Sequence, residues 1–293
     1  MMLKTGVLTS RSQCMLKKNI LNAMSVDVED YFHVSAFESV INRADWNDLE
    51  CRVEQNTYKA MAVFSEYEIK ATFFVLGWVA ERYPQLVKDI VSNGHELASH
   101  GYSHSRITQL SQEVFRAEIR DTKRLLEDIA GVVVRGYRAP SYSIVTSTLW
   151  AHEVLVEEGY DYSSSVYPIV HDLYGIPDAP RFNYKVEEGR LSEIPISTLN
   201  ALGRNWPCGG GGYFRFFPYQ LSKYMINHVN ENEEQACIFY FHPWELDPGQ
   251  PRQSGISRKT QFRHYLNLDH MESRLKKLLG DFSWGRMDEV FVV

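Results

Sequence analysis

The chain has 293 residues, of which 44% are hydrophobic and 23% charged, a composition typical of a folded globular protein rather than a disordered chain. Its formal net charge is −6, from 31 Lys and Arg against 37 Asp and Glu, so a global cationic surface for nucleic acid is not expected. The longest apolar runs, such as 237–241, are far shorter than the roughly 20 residues of a membrane-spanning helix.

The cysteines and the N-terminal segment bear on the compartment in which the protein is expected. Cys14, Cys51, Cys208 and Cys237 form no CxxC pair, so we expect free thiols in a reducing cytoplasm and no disulfide framework or zinc ribbon. The segment 1–19 contains basic residues but lacks the apolar run of about 7–15 residues that a secretion signal requires. We therefore expect a flexible leader, no export by this segment and a cytoplasmic protein, with membrane association through a biosynthetic complex as an alternative.

Strand and helix patterns alternate along the chain. In chain order, the predicted elements are a strand at 20–28, a helix at 53–67, strands and helices at 71–76, 79–92, 95–99, 111–130, 132–137, 146–158 and 161–165, strands at 193–196 and 236–241, and a helix at 267–279. Ser111 gives the longest helix a capping residue and Gly131 ends it. The alternation is typical of βαβ units and predicts an α/β fold.

No internal repeat divides the sequence. The glycine run from Gly209 to Gly212 is too short to serve as a domain linker. We expect one (β/α) domain over 20–250, followed by a C-terminal extension over 251–293 that packs on it.

Four predicted strand ends carry reactive side chains. In α/β barrels the active site forms from the C-terminal strand ends and the loops after them. The four segments are DVED at 27–30, HGYSH at 100–104, RAP at 138–140 and FHPWE at 241–245.

Two of these strand ends could supply metal ligands. In extended backbone, Asp27 and Glu29 point to one face and Asp30 to the other, so Asp27 and Glu29 are expected to meet at one centre. His100 and His104, four residues apart, could converge on the same ion, and two histidines with one carboxylate leave positions open for water and substrate. The alternatives are an acidic turn that caps the next helix and a solvent-exposed histidine pair.

The remaining polar candidates are less specific. Arg138 could bind a carboxylate bidentately or form a salt bridge on the barrel rim. His242, after an apolar strand, could be a core residue or a proton donor. Asp161 could cap a helix or support the site, and Arg215 could meet an anionic sugar or, by default, form a surface salt bridge.

Taken in this order, the motifs resemble the polysaccharide deacetylase superfamily, the NodB-homology or carbohydrate esterase family 4 group. They are most similar to the branch found with exopolysaccharide and exosortase gene clusters. The likeness runs from about Ala23 to about Glu245, and the sequence from Gly209 onward is similar to the C-terminal extension of that branch. The matching phrases are SVDVEDYFHVSAFE, ATFFVLGWVAERYPQLV, GHELASHGYSH, GYRAPSYSI, DYSSSV and FHPWE.

The resemblance implies an irregular (β/α) barrel, expected to have seven strands, and one divalent metal. By this likeness Asp27 is the general base, and His100 and His104 are metal ligands. The third ligand is Glu29 or Asp30, and strand alternation favours Glu29.

The same resemblance gives roles to residues from other strand ends. Arg138 would orient the base, His242 would be the general acid, and Asp161 would orient or tune His242. The backbone N–H of Ser141 would help form the oxyanion hole, with Tyr142 beside it.

Aromatic side chains near these motifs are candidates for contact with sugar. Trp244 would form an aromatic wall of the pocket, and Trp206 and Tyr213, beside the glycine run, would face substrate.

The expected function is that of a metal-dependent hydrolase that removes N-acetyl groups from an amino-sugar polysaccharide or its precursor during exopolysaccharide or cell-envelope biosynthesis. Its partner is an N-acetylated glycan and its metal is zinc, with cobalt, nickel and iron as alternatives. One rival is a cyclic amide or imide hydrolase of the allantoinase-like relatives, for which a closed small pocket would replace a long groove. Another is a non-catalytic carbohydrate-binding protein.

Overall fold

Most of the strands form one curled, half-barrel sheet in the computed structural model, which describes residues 20–172 and 174–291. The strands are β1 (Leu21–Val28), β2 (Thr72–Val75), β3 (Glu96–Ser99), β4 (Gly136–Tyr137), β5 (Tyr162–Ser163), β6 (Tyr184–Val186), β7 (Leu191–Glu193), β8 (Thr198–Ala201), β9 (Arg204–Pro207), β10 (Ile238–Phe241) and β11 (Ser283–Gly285).

Helices connect the strands and cover the sheet. They are α1 (Val53–Glu66), α2 (Gly77–Arg82), α3 (Pro84–Ser92), α4 (Gln112–Ala130), α5 (Ala151–Glu157), α6 (Gly211–Phe216), α7 (Tyr219–Asn232), α8 (Arg258–Tyr265), α9 (Leu268–Asp281) and α10 (Met287–Phe291). The α/β fold that the alternation predicted is confirmed.

The order of the sheet brings distant segments together. It runs β10-β1-β2-β3-β4-β5-β7-β6, and β11 pairs with β1. All pairs are parallel except β6 with β7, while β8 and β9 form a separate antiparallel hairpin. Among the described residues the sheet therefore has nine strands, where the sequence predicted seven, because β6 and β11 are three-residue strands without a distinct apolar run.

Two predicted elements differ from the observed ones. The helix predicted over 79–92 is two helices, because Pro84 lacks an N–H and disfavours helical backbone at Tyr83, which has φ −125° and ψ 59°. The strand predicted over 132–137 is paired only at β4, and the Val133 side chain before it is 69% exposed. By contrast, α4 has the predicted Ser111 cap and ends at Gly131, whose φ is 69°.

The parallel sheet places the carboxyl ends of its strands on one rim. This rim carries Asp27 near the end of β1, Glu29 directly after β1, and His100, Arg138 and His242 directly after β3, β4 and β10. The last segment of the chain reaches the opposite end, where the Met287 N–H donates to Thr72 Oγ1 at 2.8 Å. The sheet order thus decides which strand ends can share chemistry.

Candidate active site

Three side chains form a buried cluster with the composition of a metal site. Glu29, His100 and His104 each offer one ligand atom, and these atoms all lie within 4.8 Å of one another. The three residues are at most 5% exposed. They come from the ends of two strands that do not pair directly, because β2 lies between β1 and β3.

The His100 ring is oriented by the next strand end. Its Nδ1 lies 2.8 Å from the Arg138 carbonyl oxygen. A carbonyl can only accept, so Nδ1 carries the proton and Nε2 keeps a lone pair directed at the cluster. Burial lowers the pKa of His100 to about 4, which keeps the ring neutral, the form that binds a metal.

Glu29 lies at the centre of the cluster. Its Oε2 is 2.7 Å from His104 Nε2, and its Oε1 accepts a hydrogen bond from Trp244 Nε1 at 3.2 Å. Burial alone would raise the pKa of Glu29, but the nearby histidines, above all His104 and His242, outweigh it and hold the pKa well below its ordinary value. The carboxylate is therefore ionised.

Two buried atoms of the cluster have no hydrogen-bond partner among the described residues, Glu29 Oε2 and His104 Nδ1. The short contact between Glu29 and His104 lacks hydrogen-bond alignment, so Oε2 is a buried anionic oxygen without a donor. Such an atom is costly unless a cation lies beside it. Two imidazoles and one carboxylate are a donor set that fits a divalent transition metal.

The neighbouring acid, Asp30, lies elsewhere. Its Oδ2 accepts hydrogen bonds from the backbone N–H groups of Arg52 and Val53, where α1 begins, and its Oδ1 accepts from Tyr31 N–H at 2.8 Å. Of the two carboxylates that the sequence left open as third ligand, only Glu29 lies with the histidines.

Asp27 and Arg138 form a buried ion pair beside the cluster. Arg138 Nη1 donates to Asp27 Oδ1 at 2.6 Å and to Ser25 Oγ at 2.9 Å. The other edge of the guanidinium donates to the carbonyl and hydroxyl oxygens of Ser164. Because Arg138 is held on both edges and fully buried, the orientation of the Asp27 carboxylate is fixed.

His242 lies beside the other oxygen of the Glu29 carboxylate. The distance between His242 Nε2 and Glu29 Oε1 is 3.5 Å. His242 Nδ1 donates to Glu245 Oε1 at 2.9 Å, and Glu245 Oε2 accepts from Arg215 Nε at 2.7 Å. Burial would lower the pKa of His242, but Glu29 and Glu245 outweigh it and raise the pKa to about 9. The ring is therefore charged at neutral pH, while Arg215 and His242 lower the pKa of the buried Glu245 to about 2.

The sequence predicted Asp161 as the acid beside His242, and this prediction is wrong. Its side chain is 54% exposed and lies 3.7 Å from Arg135 Nε. The physical reason is position along the strand, since Asp161 precedes β5 whereas His242 follows β10, so the two occupy opposite ends of a parallel sheet. Glu245 is the acid beside His242, the position expected for Asp161.

Arg215 also differs from its predicted role. It is 1% exposed, so it forms neither a surface salt bridge nor a contact with solvent-exposed sugar. Besides Glu245, it donates to the carbonyl oxygens of His264 and Leu266, at 2.9 and 2.6 Å. This places the end of α8 against the His242 side of the site.

Left-handed backbone shapes the loop after β4. Ser141 and Tyr142 have φ values of 52° and 51°, an uncommon conformation for residues with side chains. The Tyr142 N–H donates to the Ala139 carbonyl at 3.0 Å, so it is already used. Ser141 lines the cavity around the cluster, and its hydroxyl lies 2.8 Å from that of Ser35.

Three cavities on this rim share lining residues pairwise, and together they are called the cleft. A cavity of about 200 Å³ contains the cluster, Asp27 and His242, and it shares Tyr174, Tyr240 and His242 with a neighbouring cavity of about 410 Å³. The latter shares Tyr213 and Phe216 with a third, of about 770 Å³.

Three aromatic side chains expected to meet substrate take different positions along this cleft. Tyr213 and the 43% exposed Trp206 line the third cavity. Trp244 lines the second but is only 5% exposed, and it stacks on His242 with 5.1 Å between ring centroids. Trp244 therefore supports Glu29 and His242 more than it offers a surface to sugar.

Comparison with known proteins decides the family. The polysaccharide deacetylase family model matches residues 45–162, and a domain of unknown function, DUF3473, matches residues 164–292. A peptidoglycan-N-acetylglucosamine deacetylase from Bacillus cereus is 34% identical over 134 residues, 43% of this chain and 46% of the relative. The matched region, residues 45–162, belongs to the polysaccharide deacetylase family.

Further relatives of this family bear on the fold and on coverage. A peptidoglycan deacetylase from Helicobacter pylori is 29% identical over 108 residues, 37% of this chain and 36% of the relative. A crystal structure of a candidate polysaccharide deacetylase from Mycobacterium smegmatis superposes with a TM-score of 0.60 at 18% identity, over 99% of this chain and 93% of that one, which shows a shared fold. The matches span less than half of the length of these two curated relatives.

The candidate site takes residues from both family matches. His100, His104 and Arg138 lie within 45–162, whereas His242 and Glu245 lie within 164–292. Sequence reasoning missed Glu245, although the spacing of three residues after His242 was a usable signal. Among residues 20–172 and 174–291, no helix combines the length and apolar character needed to cross a membrane.

Proposed function

We propose that this polysaccharide deacetylase family member is a metal-dependent hydrolase that removes N-acetyl groups from an amino-sugar polysaccharide or its precursor. One observation carries the proposal: Glu29, His100 and His104 converge beside the Asp27–Arg138 pair, with His242 on the other side of one cavity. We include in the proposal that the glycan belongs to exopolysaccharide or the cell envelope, in keeping with the peptidoglycan deacetylases among the relatives.

Glu29 and the Nε2 atoms of His100 and His104 would hold the metal, and zinc suits this donor set. A divalent cation bound there would polarise the acetyl carbonyl and make a nearby water more acidic. Arg138 contributes at a distance, because its carbonyl fixes the tautomer of His100 while its guanidinium fixes Asp27.

Asp27 is the proposed general base. Its carboxylate lines the cavity of the cluster, and Arg138 engages Oδ1 and leaves Oδ2 for the proton of the attacking water. The Ser141 N–H, in the strained loop at the same cavity, is the proposed donor to the oxyanion that forms at the amide carbon.

His242 is the proposed general acid. An amine leaves an amide poorly unless its nitrogen is protonated, so a proton must be delivered as the C–N bond breaks. Glu245 accepts from His242 Nδ1, which directs Nε2 toward the cavity. The proton would move from Nε2 to the amine nitrogen.

The cleft supports a polymeric substrate over a small cyclic amide. Three cavities share lining residues, and the third is exposed along the β8–β9 hairpin. A cyclic amide or imide would need a closed pocket of its own size, whereas adjoining sugar units can occupy adjoining cavities. The complete set of Asp27, His100, His104 and His242 also favours an enzyme over a binding protein.

Acetate release tests the proposal. The protein, dialysed against chelator and then reloaded with zinc, is incubated with N-acetylated oligosaccharides of defined length. We expect release by the reloaded protein, little by the stripped protein, and a loss of several orders of magnitude in Asp27→Asn. Equal release by the stripped and reloaded proteins would remove the metal from the mechanism.

A further inference from the structure

The second cavity of the cleft is lined by cationic and aromatic side chains. It has a volume of about 410 Å³ and shares Tyr174, Tyr240 and His242 with the cavity around the cluster. Because the two cavities adjoin at His242, a glycan with its acetyl group near His242 can reach this second cavity with its neighbouring sugar unit.

Helix α8 forms one side of the second cavity. Lys259, Phe262 and Arg263 are spaced by three and four residues, so they share one face of the helix, and all three line the cavity. Tyr213 and Tyr174 line it from other elements. The cavity thus combines the cationic side chains of Lys259 and Arg263, besides Arg215 that is paired with Glu245, with aromatic rings that can pack on a sugar face.

The positive charges on this wall are weakly compensated. Lys259 is 66% exposed, and its partner Asp172, at 4.0 Å, is itself 83% exposed. Within the described part of the chain, the Arg263 guanidinium forms no ion pair. Glu245 also lines the cavity, but its carboxylate is already bound inside the active site. This local excess of positive charge contrasts with the net charge of −6 of the whole chain.

We propose that this cavity is a subsite for a sugar unit that carries an anionic substituent, a carboxylate or a phosphate, adjacent to the N-acetylated unit. The proposal rests on the deacetylase function proposed above. The forked guanidinium of Arg263 can bind either anion through two parallel hydrogen bonds, and Lys259 adds a second charge. A neutral sugar in this cavity makes the aromatic contacts but gives neither Lys259 nor Arg263 an anionic group to bind.

Three oligosaccharides of equal length test this proposal. One alternates N-acetylglucosamine with glucuronic acid, one is a neutral chito-oligosaccharide, and one is the same chito-oligosaccharide with a terminal phosphate. The zinc-loaded protein is assayed for acetate release, and binding is measured separately by calorimetry. The test variant is Lys259→Gln/Arg263→Gln, and the matched control is Arg258→Gln on the same helix, whose side chain lines a different cavity.

We expect at least one anionic oligosaccharide to bind about tenfold more tightly than the neutral one, roughly the value of one charge-assisted hydrogen bond. The double variant should lose this preference and keep its affinity for the neutral oligosaccharide, while Arg258→Gln keeps both. Added salt should reduce the preference in the unmodified protein. The anion that shows it identifies carboxylate or phosphate as the recognised group.

Equal binding of anionic and neutral oligosaccharides, or an unchanged preference in the double variant, would overturn the subsite. No binding of any of the three would also overturn it. Charge-dependent binding through Lys259 and Arg263 without acetate release would instead support the subsite and contradict the deacetylase function, so the two proposals can fail separately.

Discussion

Glu245 accepts a hydrogen bond from His242 Nδ1 at 2.9 Å, and the two residues lie in the same short turn after β10. The other oxygen of Glu245 accepts from the buried Arg215, which α6 supplies. The imidazole is therefore oriented by a carboxylate that is itself held by a second charge. Both partners come from the part of the chain that matches the domain of unknown function.

Replacing Glu245 should change how activity depends on pH. Without the carboxylate, the pKa of His242 falls from its raised value. In Glu245→Gln the imidazole should therefore lose its proton at a lower pH, and the alkaline limb of the kcat/KM profile should shift to lower pH. Asp161→Asn is the matched control, and its profile should not move, because Asp161 lies near Arg135. A shift in Asp161→Asn and none in Glu245→Gln would reverse this assignment.

Glu29 and Asp30 offer a direct test of the metal site, because adjacent acids point to different surroundings. Glu29→Gln should reduce metal bound after dialysis to far below one ion per chain. Asp30→Asn should retain the ion and lose about 1 kcal/mol of stability, the usual value of a negative charge beside a helix N-terminus. Metal content by mass spectrometry and urea unfolding report the two effects. Full metal binding by Glu29→Gln would contradict the ligand set.

Two neighbouring glycines should differ sharply in tolerance to alanine. A Cβ on Gly211 would lie 2.3 Å from Glu245 Oε1, whereas a Cβ on Gly212 meets nothing within 4 Å. Gly211→Ala should therefore displace the Glu245 carboxylate, cost about 1–3 kcal/mol of stability by overpacking and lower kcat/KM. Gly212→Ala should stay within about 0.5 kcal/mol of the unmodified protein. Equal behaviour of the two variants would argue against this packing.

The Asp27–Arg138 pair should be essential to folding as well as to chemistry. Arg138→Gln leaves a buried carboxylate without its partner, so we expect a loss of about 3–5 kcal/mol in the free energy of unfolding. Arg135→Gln, at a half-exposed position three residues earlier, should change it by less than about 0.5 kcal/mol. The double variant Asp27→Asn/Arg138→Gln should recover part of the loss, which urea unfolding would measure.

Stability should fall as the solution becomes acidic, in part through His95. Its Nδ1 accepts from the Ala71 N–H at 3.1 Å, and burial lowers its pKa to about 4. Between about pH 6.5 and 4 the unfolded chain binds a proton that the folded chain does not, so the contribution present at neutral pH is lost over this window.

The matched comparison uses His95→Gln against His270→Gln, whose side chain is 60% exposed. The stability of the unmodified protein relative to His95→Gln should shrink as the pH falls, and His270→Gln serves as the control for removing an exposed imidazole. A constant difference for His95→Gln would mean that the folded protein binds the proton as easily as the unfolded chain.

Much of the fold could be predicted because several parallel strands are buried, largely apolar runs, as at β2 and β10, and because α4 carries its own cap and stop. Short elements could not be predicted in this way. Strands β6 and β11 have three residues each, and what makes them strands is pairing with β7 and β1 rather than any pattern of their own. The break between α2 and α3 could have been predicted from the sequence, because Pro84 causes it.

Within the site, the sequence by itself determined which chemical groups follow the strands: an acidic segment, two histidines four apart, an arginine and a later histidine. Strand alternation already favoured Glu29 over Asp30 as the metal ligand. Only the tertiary structure decided that Glu29 meets His100 and His104 from another strand end, that Asp30 binds the start of α1, and that Glu245 rather than Asp161 lies beside His242. The reason is that side-chain alternation is a local property of a strand. Which strand ends meet, and which end of a strand a residue occupies, depends on the order and direction of strands in the folded sheet.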